Sequence, residues 1–240
     1  MIELYSYPTS NGQKVMLMLE ETGLPWTHID VNIRLGEQFA PEHLARSPNN
    51  KIPAIIDPEG PGGRYVMMES NAILFYLAEK TGKFLPADPV GRYDTLQWLI
   101  FQSSHVGPMF GQANHFNGHS EDSYGKTRYN NEVARLMRVL DNRLRDSEWL
   151  AGPGITIADL ATYPWTRNRG NMQVSAESHP HFMRWFNAIE ARPAVQRANA
   201  LAKEIRARMD QRYEQAQASK RIDMYNTRDN HERLARATKG

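Results

Sequence analysis

The spacing of apolar residues stops alternating between two periods near residue 86 and keeps only the helical one beyond, and that change limits the chain to two parts built in different ways. Up to residue 85 a period of two alternates with the helical period. Ile2 to Ser6 reads as a strand, and Asn11 to Thr22 follows with Val15, Met18, Leu19 and Thr22 on one helical face and Gly23 as a stop. His28 to Val31 gives a second strand, Pro41 to Arg46 a short helix, and Ala54-Ile55-Ile56 a third strand. The run Asp57-Pro58-Glu59-Gly60-Pro61-Gly62-Gly63 reads as a dense turn with Tyr65 to Met68 as its hairpin partner, and a helix from Ser70 closes at Gly82. Phe84 to Pro89 interrupts both periods and reads as a linker. Everything beyond it reads as helical: Val133, Leu136, Met137, Leu140 and Leu144 keep one face, and Trp98, Trp149, Trp165 and Trp185 are expected as large core rings.

Strand, helix, strand, helix, strand, strand, helix is the order of a thioredoxin-like unit. The expected fold is therefore α/β + all-α: residues 1–85 as a thioredoxin-like domain, 90–205 as a C-terminal helical bundle, and 206–240 as a basic C-terminal tail. A chain of 240 residues, 40% hydrophobic, can bury two cores. It has no run of about 18 apolar residues, and Met1 leads straight into Ile2-Glu3-Leu4-Tyr5, so a cytoplasmic chain with no membrane span is expected. Residues 203–240 carry ten Lys/Arg against six Asp/Glu within a net charge of +2. The signs are interspersed and no nucleic-acid-reading motif accompanies them, so a solvated tail and no nucleic-acid partner are expected. The chain has no cysteine, which excludes zinc thiolate sites, iron–sulfur clusters and a redox Cys-x-x-Cys. Any thiol chemistry must use a thiol supplied from outside.

Three polar segments could meet at one edge of such a sheet. Tyr7-Pro8-Thr9-Ser10-Asn11-Gly12 joins the first strand to the first helix, where backbone N–H groups and the helix dipole stabilise an anion and lower a thiol's pKa. Plain capping by Thr9, Ser10 or Asn11 would explain the same residues. Asn50-Lys51-Ile52-Pro53-Ala54-Ile55 sets a proline before a strand, with a cis bond expected. Pro53 removes a ladder donor there, leaving the backbone of Ile52 to pair with an extended peptide or to serve only as strand entry. Glu69-Ser70-Asn71 opens another helix, with Ser70 as N-cap; the N–H groups could hold a ligand carboxylate and Glu69 an ammonium.

The order of Pro8-Thr9-Ser10-Asn11-Gly12, Ser47-Pro48-Asn49-Asn50-Lys51-Ile52-Pro53-Ala54, Glu69-Ser70-Asn71-Ala72-Ile73 and Tyr76-Leu77-Ala78-Glu79-Lys80 resembles the bacterial nu-class glutathione transferases. The resemblance continues in Leu96-Gln97-Trp98, Gly107-Pro108-Met109-Phe110-Gly111-Gln112, His115-Phe116-Asn117 and Thr156-Ile157-Ala158-Asp159, over roughly residues 1–200. It implies glutathione as co-substrate, with Thr9 contacting the sulfur and Asn11 beside it. Gln38 and Lys51 match the residues holding the glycine end, Ile52 the backbone partner of the cysteinyl group, and Glu69 and Ser70 the γ-glutamyl clamp. Arg128 matches an arginine at the two-fold interface of a homodimer, and Thr156 to Asp159 a capping box of the bundle.

The implied activity is reduction of a small-molecule disulfide by bound glutathione. The alternatives are transfer to, or lysis of, aromatic electrophiles or aryl ethers, which aromatics near Phe110 to Phe116 would permit, and a silent glutathione-binding regulator. Tyr7 stands where other classes keep a catalytic tyrosine, and Ser10 is a further hydroxyl. His115 and His119 have a metal-like spacing, but Gly118 weakens the helix and no carboxylate helps, so no metal site is expected.

Overall fold

The computed structural model describes residues 1–167, 170, 174–175 and 177–216. β1 (Ile2–Ser6) alternates buried Ile2, Leu4 and Ser6 with half-covered Glu3 and Tyr5, which is why it can sit inside a sheet rather than at an edge. The sheet order is β2-β1-β3-β4, with β2 (Trp26–Asp30) parallel to β1, and β3 (Ala54–Gly60) and β4 (Gly63–Met68) antiparallel. A parallel pair needs a crossover, supplied by α1 (Ser10–Thr22), whose Val15 to Leu19 are all buried. Gly23 ends α1 in the left-handed region at φ 74°, its N–H donating to the Leu19 carbonyl. A 3-10 turn (Glu37–Phe39) and α2 (Pro41–Arg46) precede β3.

The expected dense turn is shorter than its composition suggests. β3 runs through Pro58 to Gly60, and the ladder is irregular between Asp57 and Gly60, where the missing proline N–H does no harm. The chain reverses over Pro61 and Gly62, with Gly62 and the paired Gly63 both at positive φ.

Residues 1–73 and the described residues from Arg197 onward form one compact unit; Leu74–Gln196 form a second. α3 (Ser70–Thr81) follows the sheet, and α4 (Pro89–Phe101) is capped by Asp88, which accepts from Gly91 N–H at 2.8 Å. α4 passes through one π-turn (Gln102–Val106) into α5 (Gly107–His119), so Gly118 does not break the helix. α6 (Ser123–Arg145), α7 (Ile157–Thr166) and α8 (Pro180–Glu190) complete the second unit: α5 packs along α6, α6 along α8, and α4 against α7. The apolar face from Val133 to Leu144 is buried as its spacing implies. Of the four tryptophans expected in the core only Trp185 is fully enclosed, while Trp98, Trp149 and Trp165 are half-buried. α9 (Pro193–Gln215) carries the helix through the first ten residues of the segment expected as tail; residues 217–240 lie outside the described ones.

The second unit is organised by a buried carboxylate. Asp159 accepts from Leu150 N–H at 2.9 Å, Thr156 N–H at 2.8 Å, Thr156 Oγ1 at 3.1 Å and Trp185 Nε1 at 2.8 Å, closing the capping box that the sequence marks. Burial raises its pKa against the pull of these donors. Asp159→Ala would leave four buried donors without their acceptor and is expected to destabilise the protein by about 3–5 kcal/mol. Urea unfolding checks this; a loss below about 1 kcal/mol would contradict it.

Candidate active site

The turn after β1 is held by a close approach. A Cβ built on Gly12 would stand 2.2 Å from the Tyr7 carbonyl oxygen, so only glycine lets α1 begin this near the strand. Thr9 N–H donates to that carbonyl at 2.7 Å, and Thr9 is the N-cap of α1, its Oγ1 accepting from Gly12 N–H at 3.4 Å. Capping and chemistry do not compete here. The bond to Gly12 uses a lone pair of Thr9, while its hydroxyl proton is given to no acceptor among the described residues.

Ser70 departs from its expected role as an N-cap. Ile73 N–H donates to the Glu69 carbonyl at 2.9 Å, which places Glu69 at the cap and Ser70 inside the first turn of α3. Glu69 reaches that position with φ 68°, in the left-handed region that a non-glycine residue seldom adopts. Ser70 Oγ is thereby turned toward α1: it accepts from Lys14 Nζ at 3.3 Å and donates to Asn11 Oδ1 at 3.4 Å. Lys14 Nζ also donates to Asn71 Oδ1 at 2.9 Å. This buried lysine joins the starts of two helices, and burial pulls its pKa from 10.5 down to about 7, against the attraction of the Glu69 carboxylate.

The segment from Ser47 to Pro53 is braced from behind. His43 Nε2 lies 3.0 Å from the Lys51 carbonyl, and burial lowers the His43 pKa, so the neutral ring donates there. Asn50 takes φ 59°, its N–H donating to the Ser47 carbonyl at 2.8 Å, and Ser47 Oγ accepts from Lys51 N–H at 3.4 Å. The Ile52–Pro53 bond is cis, and Ile52 precedes the β3 ladder, with its main chain outside it. Lys51 is exposed, and Asn49 Nδ2 reaches Glu69 Oε1 at 3.5 Å. Gln38 is buried in the 3-10 turn, its Oε1 with no hydrogen-bond partner among the described residues.

The structure thus links Thr9, Asn11 and Ser70 through one turn and one hydrogen-bond cluster, and ties Glu69 to the segment that carries Lys51, Ile52 and Pro53. Gln38 makes no hydrogen bond to them among the described residues. Arg128 belongs to the other compact unit, exposed on α6, where its charge is felt by Glu132. Lys14 is the site residue that the sequence reading missed; the one signal was a lysine three residues after Asn11 amid buried apolar positions. Tyr7 is buried, and burial raises its phenol pKa against the opposing charge of Arg206. Phe110 is fully buried in the helical core, and half-buried Phe116 packs on Tyr129. His115 and His119 have ring centroids 5.7 Å apart, with no metal-binding cluster among the described residues.

Residues 10–80 match "Glutathione S-transferase, N-terminal domain", and residues 114–193 match "Glutathione S-transferase, C-terminal domain". The chain is 45% identical over 202 residues to disulfide-bond oxidoreductase YfcG of Escherichia coli (strain K12), covering 82% of this chain and 94% of that one. A glutathione transferase family member from Pseudomonas fluorescens, solved with two glutathione bound, shares 47% identity at a TM-score of 0.79, over 82% of this chain and 91% of that one. A glutathione transferase from Pseudomonas putida, solved with one glutathione disulfide bound per subunit, shares 44% identity at the same TM-score, over 82% and 90%.

The depressed pKa of Lys14 sets a stability window. Between about 7 and 10.5 the unfolded chain holds a proton that the folded protein has released, so stability rises with pH across that range and the burial penalty is fully present below it. Lys14→Met is therefore expected to be the more stable protein at pH ~6, by on the order of a few kcal/mol, with the advantage shrinking toward pH ~9. Urea unfolding at both values checks it; an equal advantage at the two would count against a buried ammonium.

Proposed function

The chain belongs to the glutathione S-transferase family, and from that membership we propose that it is a glutathione-dependent disulfide reductase in which the bound tripeptide supplies the reacting sulfur. The observation that carries this reading is a chain with no cysteine that gathers Thr9, Asn11, Ser70 and buried Lys14 at the starts of two helices. Thr9 donates its free hydroxyl proton to the thiolate, and the amide of Asn11 and the N-terminus of α1 add to the field that stabilises it. The first turn of α3 receives the γ-glutamyl carboxylate, with the main-chain N–H of Ser70 as donor, Lys14 as the cation beneath it, and Glu69 on the ammonium. Ile52 pairs with the cysteinyl backbone beside Pro53, and Gln38 and Lys51 take the glycine end, where the glycyl N–H is a donor for the buried Gln38 Oε1.

The thiolate attacks one sulfur of a small disulfide, forming a mixed disulfide with glutathione and releasing the other half as a thiolate. A second glutathione thiolate then attacks the glutathione sulfur of that mixed disulfide, giving glutathione disulfide and the second thiol. A relative named as a disulfide-bond oxidoreductase, and relatives solved with two glutathiones or glutathione disulfide, support this order. Within the family we assign the chain to the nu class, as a cytoplasmic homodimer with Arg128 near the ligand at the two-fold axis, built as domains 1–85 and 90–205.

Two substitutions separate the candidate hydroxyls. Thr9→Ala is expected to lower kcat about tenfold with little change in KM, since one hydrogen bond to sulfur is lost while the peptide ends stay held. Tyr7→Phe should change turnover by less than about threefold. Glutathione with hydroxyethyl disulfide is the assay. Abolished turnover in Tyr7→Phe with a silent Thr9→Ala would overturn the site, and faster turnover of a chloronitrobenzene or an aryl ether would move the activity to aromatic electrophiles.

A further inference from the structure

The matched C-terminal family model ends at residue 193, where α9 begins, yet the far end of α9 reaches the candidate site. Arg206 Nη1 donates to the Tyr7 hydroxyl at 2.9 Å, its Nη2 donates to the Pro8 carbonyl at 3.1 Å, and its guanidinium lies 4.4 Å from the centre of the Tyr7 ring. The Tyr7 hydroxyl donates in turn to Asp210 Oδ1 at 3.3 Å, and Arg34 pairs with the same carboxylate oxygen at 2.7 Å while stacking 3.8 Å from the Tyr213 ring. Asn32 Nδ2 donates to the Met209 carbonyl at 2.8 Å, and Arg208 pairs with Asp30 at 2.6 Å. Met209 and Tyr213 are buried.

The contacts of Arg206 fall on the two residues that precede Thr9. Gly12 and Thr9 hold the Tyr7 carbonyl from the α1 side; Arg206 holds the Tyr7 hydroxyl and the Pro8 carbonyl from the α9 side. A planar fork that reaches two oxygens on successive residues restrains the turn between them, which a single point charge does less well. We propose that Arg206 is a positioning residue for the thiol-binding turn, fixing Tyr7 and Pro8 so that the Thr9 hydroxyl stays aimed at the glutathione sulfur. The proposal rests on the reading of Thr9 as the donor to sulfur. It makes the end of α9 part of the catalytic apparatus without touching substrate.

The test reads the pKa of the glutathione thiol bound to the full-length protein, from its thiolate absorbance, alongside kcat and the affinity for S-methylglutathione. Arg206→Ala is expected to raise that thiol pKa by about half a unit to one unit and lower kcat about three- to tenfold, with S-methylglutathione affinity within about twofold of the parent. Arg206→Lys should shift the same quantities in the same direction by less, and it decides the matter if the alanine variant does not fold. Arg208→Ala, which removes the pair with Asp30, should lower the Tm and leave the thiol pKa unchanged. Thr9→Ala serves as the control for the underlying reading. If it raises the thiol pKa and neither Arg206 variant does, the positioning role is wrong while the site stands. If Thr9→Ala is silent, the route from Arg206 to sulfur through Thr9 fails with the site.

Discussion

Everything at the candidate site depends on how close α1 can come to the end of β1. With a side chain at residue 12 the helix would have to retreat from the Tyr7 carbonyl, and Thr9 could not both receive the Gly12 N–H and give its own to that carbonyl. The contact is short because the chain has no atoms to spare there. It places the positive end of α1 directly behind the turn, and it sends Lys14, one helical turn further on, back beneath the start of α3.

The absence of cysteine gives that arrangement its meaning. A protein thiol would need its sulfur placed at the head of the helix; here the head of the helix is lined by neutral donors and amides instead, with a cation buried one layer below. Burial disfavours the charged form of such a cation and lowers its pKa, and a ligand carboxylate held at the first turn of α3 would stabilise that charged form. Asp159 in the other unit is a buried charge of a different kind. Its oxygens are met by two backbone and two side-chain donors from the chain itself, so it organises a fold and offers nothing to a ligand.

The alternation of periods before residue 85, the hairpin, the helical remainder and the capping box at Thr156 were all legible, because each rests on local pattern. Ser70 was misread because the left-handed turn at Glu69 is not encoded by any glycine, so the cap was set one residue late. Lys14 carries no local sign of burial, since a lysine on an amphipathic helix is ordinarily solvated. The end of α9 was read by its charge, as a tail. Its apolar residues tell another story: Ala198, Ala202, Ile205, Met209 and Tyr213 recur at helical spacing and are all buried, while Arg208 and Arg212 meet acids of the sheet unit at Asp30 and Glu37. Small residues at the start of that stripe hid it, and a charge count cannot tell a solvated arginine from a paired one.

Three hydroxyls stand within four residues, at Tyr7, Thr9 and Ser10, and sequence alone ranks them only by analogy. The structure ranks them by what each oxygen is already doing. Tyr7 has its proton committed to Asp210, a lone pair to Arg206 and its ring enclosed, and burial moves its phenol further from ionisation. To serve a sulfur it would have to leave a carboxylate and a guanidinium at once. Thr9 is held by the Gly12 N–H through a lone pair, a bond that orients the hydroxyl without consuming its proton. Ser10, as the first residue of α1, has no such restraint on its direction among the described residues. A donor whose rotor is fixed and whose proton is unclaimed stabilises a thiolate better than one that must be freed or ordered first, because that reorganisation would be charged against each turnover. The same cluster that removes Tyr7 from the chemistry therefore leaves Thr9 as the hydroxyl fit for it.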